Sequence, residues 1–138
     1  MVESKYDSEC QLVKLPIAGI RDVLISRFVA RQEAAKLGFP PVALIRIATV
    51  VSEITRNVVQ HAGAPGEISL SSIVRSGKCG LKIVVRDAGC GIVNLEAVRT
   101  GIGAGPGSGI AGAKELMDEF NIESSKDFGT TVTAIKWL

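Results

Sequence analysis

Aromatic side chains are scarce in this chain, 4% of 138 residues, so platforms for stacking nucleic-acid bases have little to be built from. Excess charge of one sign is missing too. Sixteen Lys and Arg stand against fourteen Asp and Glu, a net of +2, and no basic run of five exists. That balance argues against nucleic acid and against an anionic membrane as partners. Cysteine is limited to Cys10, Cys79 and Cys90, an odd number without a CxxC pair. Neither a disulfide framework nor a zinc site is suggested, and a reducing cytoplasm fits. No uninterrupted apolar run approaches membrane length, and residues 1–14 mix charges in a way no signal peptide does. A Walker A motif is absent as well. These gaps leave a soluble cytoplasmic protein, and 46% hydrophobic residues give one domain enough material for a core.

The chain has no repeat and no interdomain linker, and a single domain over residues 10–138 is expected, with residues 1–9 frayed. Residues 10–15 alternate as a short strand. Ile17, Ile20, Leu24, Phe28 and Ala35 trace a long first helix that Gly38 stops. Pro40 and Pro41 open a second helix, expected over residues 41–61 and ended by Gly63, Pro65 and Gly66. Residues 68–74 and 81–86 read as strands of a hairpin around a turn at 75–78. Residues 87–109 are rich in glycine, with a helical turn expected at 94–99. Ile110, Ala113, Leu116, Met117 and Phe120 mark a third helix, and residues 121–125 and 130–138 two final strands. The order predicts an α+β two-layer sandwich, a mostly antiparallel sheet covered on one face by three helices.

Within the second helix, Ile47, Val51, Ile54 and Val58 form an apolar stripe, and Glu53, Asn57 and His61 stack at spacings of four along its flank. A carboxylate, an amide and an imidazole on that border suit the wall of a polar pocket, though from this stretch alone a merely polar helix edge is slightly the better reading. Asp87 follows a strand and is itself followed by Gly89 and Gly91, a pattern that lets a ligand approach the backbone closely; an ordinary turn has the same composition. Residues 101–112 hold six glycines in twelve, and Gly107, Gly109 and Gly112 lead into the third helix, whose free amides suit phosphate. The dinucleotide fingerprint that this imitates needs a strand immediately before it, so a Rossmann unit is rejected. The DFG at 127–129 and the AIK at 134–136 stand in the wrong order for a eukaryotic-type kinase and are coincidences.

Taken together, Glu53-x-x-x-Asn57 on a helix, Asp87-x-Gly-x-Gly-Ile after a strand, the glycine-rich lid and Gly129-Thr130 before the last strand resemble the Bergerat-type ATP-binding fold of sensor histidine kinases, gyrase and Hsp90-like ATPases. The phrases SEITRN, GLKIVVRDAGCGI, KELMDEF and GTTVTAIKWL are most similar to the switch serine kinases of the bacterial stressosome, and less so to the anti-sigma-factor kinases. The resemblance implies that Asn57 ligates Mg²⁺ bridging the ATP phosphates and that Glu53 is the general base for a substrate serine. It implies that Asp87 binds the adenine amino group, with Gly89 and Gly91 lining the pocket and Thr130 supporting Asp87. Gly105, Gly107 and Gly109 would belong to the lid over the phosphates.

The implied activity is a protein serine/threonine kinase that phosphorylates a STAS-domain protein and, once released, activates a PP2C-type phosphatase. A short lid carrying Pro106 departs from the family pattern. No histidine-bearing dimerisation helix precedes the domain, and with Glu53 as a potential base, transfer to a serine or threonine is expected over histidine autophosphorylation. His61 is read as a half-buried structural histidine. An anti-sigma factor with kinase activity, or a nucleotide-gated binding module with little turnover, are the competing readings.

Overall fold

In the computed structural model, residues 6–89, 109–125 and 128–138 are described, and the expected order of strands and helices is present. Strand β1 (Ser8–Ile17) is followed by helix α1 (Ile20–Leu37) and helix α2 (Pro41–Asn57), which runs on into a π-helical turn (Val58–Ala62). Strands β2 (Gly66–Arg75) and β3 (Lys78–Asp87) precede helix α3 (Gly109–Glu115), strand β4 (Glu119–Ser125) and strand β5 (Gly129–Trp137). The five strands form one antiparallel sheet in the order β1-β2-β3-β5-β4, so the α+β sandwich expected from the sequence is the architecture found.

Alternation along the strands decides which sheet face meets the helices. Leu70, Ile83 and Ala134 form one rung across β2, β3 and β5; Ile68, Val85, Val132 and Ile122 form the next, across β2, β3, β5 and β4. All seven are buried, and Ile47, Val50, Val51 and Ile54 of α2 complete the same core. Full burial of an isoleucine or leucine contributes about 1.5–3 kcal/mol each, so this face holds the two layers together. The β2–β3 hairpin closes through Ser76 and Gly77, at φ 52° and 79°, the two left-handed residues that match the twist of the flanking strands.

Several sequence expectations are corrected, and Ile17, expected in the first helix, closes β1. The first helix does not bury Ile20, Leu24 and Phe28, which are exposed; its inward face is Val23, Ser26, Ala30 and Ala34, small side chains that let the neighbouring helix come close. The third helix ends at Glu115, and Phe120 lies in β4, where its partner across the sheet is Ala134 of β5. Residues 58–61, expected to continue the second helix, widen into the π-helical turn that closes at Ala62. Strand β1 starts at Ser8 rather than at residue 10, and the Asp7 amide donates to the Val74 carbonyl at 2.8 Å. The helical turn expected at 94–99 lies outside the described residues. No helix among the described residues is long and apolar enough to cross a membrane.

Candidate functional site

Two structural ends meet where the site is expected. The first is the end of α2. Its apolar stripe, Ile47, Val51, Ile54 and Val58, is buried as the periodicity requires, which fixes the rotation of the helix and turns the flank with Glu53 and Asn57 toward the margin of the core. Glu53 and Asn57 are half-buried, and His61 is exposed rather than half-buried. Together with Arg56 and Gln60 they line a hollow of about 60 Å³. The Arg56 guanidinium donates to Glu53 Oε1 at 3.1 Å, one helical turn along the same flank. Two buried hydroxyls just inside, Ser52 and Thr55, donate to the carbonyls of Ala48 and Val51 at 2.9 and 2.6 Å, so their polarity is spent within the helix. The π-helical turn follows directly, a wider winding that is frequent at functional sites.

The second end is that of β3. Asp87 continues the inward series Leu81, Ile83, Val85, so its half-buried carboxylate sits at the rim of the helix-covered face. Gly66 of β2 and Thr130 of β5 are its neighbours in register on either side. The Gly89 amide donates to Asp87 Oδ1 at 2.9 Å, which holds the carboxylate against its own loop. Thr130 is buried beside it, and its hydroxyl lies 2.9 Å from that of Ser124.

What joins the two ends is glycine. A Cβ on Gly89 would fall 2.1 Å from the Ala62 carbonyl oxygen, so the loop after Asp87 touches the backbone at the end of the π-helical turn. Gly129 makes the same kind of approach to the Asp87 carbonyl, also at 2.1 Å from an added Cβ, and its φ of 78° favours glycine independently. A helix end carrying Glu53 and Asn57 is thereby laid against a strand end carrying Asp87.

Of the other residues expected in the site, Gly109 opens α3, while Gly91, Gly105 and Gly107 lie outside the described residues. The 60 Å³ hollow is small beside the roughly 300 Å³ and more of a pocket for a nucleotide-sized ligand. Among the described residues no group of three or more His, Cys, Asp or Glu could hold a metal by itself. The donors present are an amide oxygen on Asn57 and a carboxylate on Glu53, oxygens of the kind Mg²⁺ takes alongside phosphates and waters. Arg56, Gln60, Ser124 and the backbone contact of Gly129 were not singled out in the sequence. Arg56 was findable, since an Arg three residues after a helical Glu is placed to pair with it. Ser124 gave no local signal, because its relation to Thr130 is made by the β4–β5 register.

Residues 21–136 match the model of the histidine kinase-like ATPase domain. The serine/threonine-protein kinase RsbT of Bacillus subtilis (strain 168) is 40% identical over 120 residues, which cover 85% of this chain and 90% of that protein. The anti-sigma F factor of Bacillus thuringiensis (strain Al Hakam) is 33% identical over 104 residues, 69% of this chain and 70% of the other. Among solved structures, the RsbU and RsbW domains of Rv1364c from Mycobacterium tuberculosis superpose with a TM-score of 0.59 over 91% of this chain. At 17% identity and 32% of that longer chain, this likeness concerns the fold alone. The histidine kinase domain of a blue-light activated kinase from Erythrobacter litoralis gives a TM-score of 0.51 at 30% identity, over 68% of this chain and 44% of its own. This chain belongs to the histidine kinase-like ATPase family and, within it, to the group of the RsbT serine/threonine-protein kinase.

Proposed function

We propose that this protein is a cytoplasmic serine/threonine kinase of a partner-switching module, which uses Mg-ATP to phosphorylate a STAS-domain protein and, once released from it, binds and activates a PP2C-type phosphatase. The observation that supports the reading is the contact of Gly89 with Ala62, by which the π-helical turn after the Glu53–Asn57 helix meets the loop after Asp87. An adenine amino group donates to the Asp87 carboxylate, with Gly89 and Gly91 lining the pocket. Thr130 backs Asp87 from the next strand. Asn57 Oδ1 would hold Mg²⁺, which would supply charge neutralisation at the triphosphate when bound. Gly105, Gly107 and Gly109 cover the phosphates with backbone amides.

The transfer needs positioning and charge relief more than covalent chemistry. The substrate serine Oγ forms a bond to the γ-phosphorus, the bond from that phosphorus to the bridging oxygen breaks, and ADP leaves with the electron pair. The hydroxyl proton passes to the Glu53 carboxylate. Glu53 is held by Arg56 at 3.1 Å, a contact that fixes its rotamer at the mouth of the hollow.

Incubation with Mg-ATP and candidate STAS proteins, followed by mass spectrometry, tests the reading. Phosphate on a STAS serine or threonine is expected; phosphate on His61 of this chain, or ATP hydrolysis without a protein acceptor, overturns it. The 33% identity to an anti-sigma F factor favours a second reading, a kinase whose chief task is to hold a sigma factor. Capture of a sigma factor instead of a phosphatase in paired binding assays decides for that reading.

A further inference from the structure

The sequence periodicity singles out Ile20, Leu24 and Phe28 as one line of α1, yet this line faces outward. Each is between 58 and 62% exposed, and so are Val42 and Ile45 on the outer side of α2. The buried sides of both helices are already complete, with Val23, Ser26, Ala30 and Ala34 on one and Ala43, Ile47, Val50 and Ile54 among those on the other. These five large side chains therefore serve no purpose inside the fold. The three-residue connection at 38–40 makes the helices an antiparallel pair. A groove runs between the outer ridges of such a pair, and one further helix can lay its ridge there.

Charge says what that helix is. The two helices carry six Lys and Arg against three carboxylates, a larger positive excess than the +2 of the whole chain. All three carboxylates are engaged locally. Asp22 accepts from the amides of Ala18 and Gly19, Glu33 is 3.2 Å from Lys36, and Glu53 is paired with Arg56. The cations Arg21, Arg27, Arg31 and Arg46 are exposed and make no ion pair among the described residues. We infer that the outer α1–α2 face is a docking surface for an acidic amphipathic helix of a protein partner, its Leu/Ile ridge in the groove and its carboxylates on these arginines. A second copy of this chain is disfavoured, because it would set one cationic face against another. A lipid surface is disfavoured as well. At about 100° per residue, Arg31 falls between Ile20 and Leu24 around the helix, so insertion of the ridge would carry a guanidinium with it. Val42 and Ile45 sit at the opposite end of α2 from Asn57, roughly 18 Å along the axis for Ile45 at 1.5 Å per residue, whereas Ile20 opens α1 at the end of the antiparallel pair nearer Asn57; the surface shares no residue with the nucleotide site but lies alongside it.

The test uses the full chain and a designed helical peptide with leucines at i, i+4 and i+7 flanked by glutamates, followed by fluorescence anisotropy. A lysine-flanked twin of the peptide and phosphatidylserine–phosphatidylcholine vesicles are run beside it, with sedimentation of the protein alone. Saturable binding of the glutamate peptide is expected, weakened at least about tenfold by Phe28→Asp and, independently, by Arg31→Glu, with ATP affinity unchanged in both. Leu24→Ser provides a second apolar variant should Phe28→Asp fail to fold. Equal binding of the lysine twin, no binding of the glutamate peptide, insensitivity to these substitutions, vesicle binding in its place, or dimerisation lost with Phe28→Asp would each overturn the inference.

Discussion

Gly89→Ala isolates the joint between the two halves of the site. The added methyl carbon would lie 2.1 Å from the Ala62 oxygen, 2.7 Å from its carbonyl carbon and 2.9 Å from its Cα, all backbone atoms with no side chain to swing aside. Either the loop after Asp87 or the end of the π-helical turn must move. Neither belongs to the rungs of the sheet, whose register is set by β2, β3 and β5. The strain of such an insertion is about 1–3 kcal/mol. If it is relieved by lifting the loop, it appears as lost ATP affinity, roughly 5- to 150-fold. The Asp87–Gly89 hydrogen bond should be lost with it, since the amide moves with the loop. Calorimetric titration with Mg-ATP, run beside a thermal melt, separates the outcomes. A melting temperature close to wild type with weakened ATP binding is expected. Wild-type ATP affinity in a folded variant would refute the claim that this contact assembles the site.

Asp87→Asn keeps an acceptor for the Gly89 amide but removes the charge proposed to meet the adenine, so ATP affinity should fall by about 1.5–3 kcal/mol while the melt is little changed; unchanged affinity by calorimetry removes the adenine role. Glu53→Gln should lower phosphate transfer about 10²–10⁴-fold, and Asn57→Ala should weaken both nucleotide binding and transfer, while both variants still bind and activate the phosphatase. Full transfer by Glu53→Gln would eliminate the general base, and joint loss of transfer and phosphatase binding in folded protein would undo the switch. Tyr6 is the only tyrosine in the chain, and burial, followed by the carboxylates of Glu119 and Glu9, raises its pKa above the ordinary 10.0 despite the opposing Arg75. Its ultraviolet titration should therefore have a midpoint above 10.0 in the folded protein. Because the folded value is the higher one, its contribution to stability is complete below pH 10 and is lost as pH rises through the folded value. A midpoint at or below 10.0 would contradict that environment.

Much of the fold was legible because one local signal decided each element. The stripe Ile47, Val51, Ile54, Val58 keeps one helical line through the whole second half of α2, and burial followed. Gly38 ends α1 in a left-handed conformation at φ 101°, as a helix-stopping glycine should. The hairpin turn was equally readable from Ser76-Gly77. α1 was found but rotated, because periodicity marks where the large apolar residues are and not which side is buried. Its inner face is made of Ser26, Ala30 and Ala34, which register weakly on any hydrophobic scale, while its large residues point outward. Phe120 fitted the helical spacing of Ala113 and Met117, but β4 claims it through its pairing with Ala134, a contact fourteen residues away that no local window sees. In the site, Glu53, Asn57 and Asp87 stood out as types and spacings. That Gly89 is pressed on Ala62 and Gly129 on Asp87 could be read only from the assembled backbone.

The two halves of the site are built from unlike materials, and this bears on how a switch kinase could work. Asp87 belongs to a strand hydrogen-bonded on both sides, with Gly66 and Thr130 in register, so its position is tied to the whole sheet. The groups expected at the phosphates stand at a helix end that passes into a π-helical turn, where the ordinary helical ladder is interrupted. On the proposed reading, a base held at the sheet would stay put while the phosphate end could adjust. Among the described residues, the backbone contact of Gly89 with Ala62 links that end to the loop after Asp87. It is tied to the start of α2 as well, because Asn57 and Val42 share one continuous helix whose inner face is locked in the core. A partner helix seated on the outer α1–α2 face would therefore meet an element that already carries the proposed magnesium ligand at its C-terminal end. Docking and nucleotide chemistry then share a rigid body without sharing residues, which is what a kinase that exchanges partners without dismantling its ATP site requires.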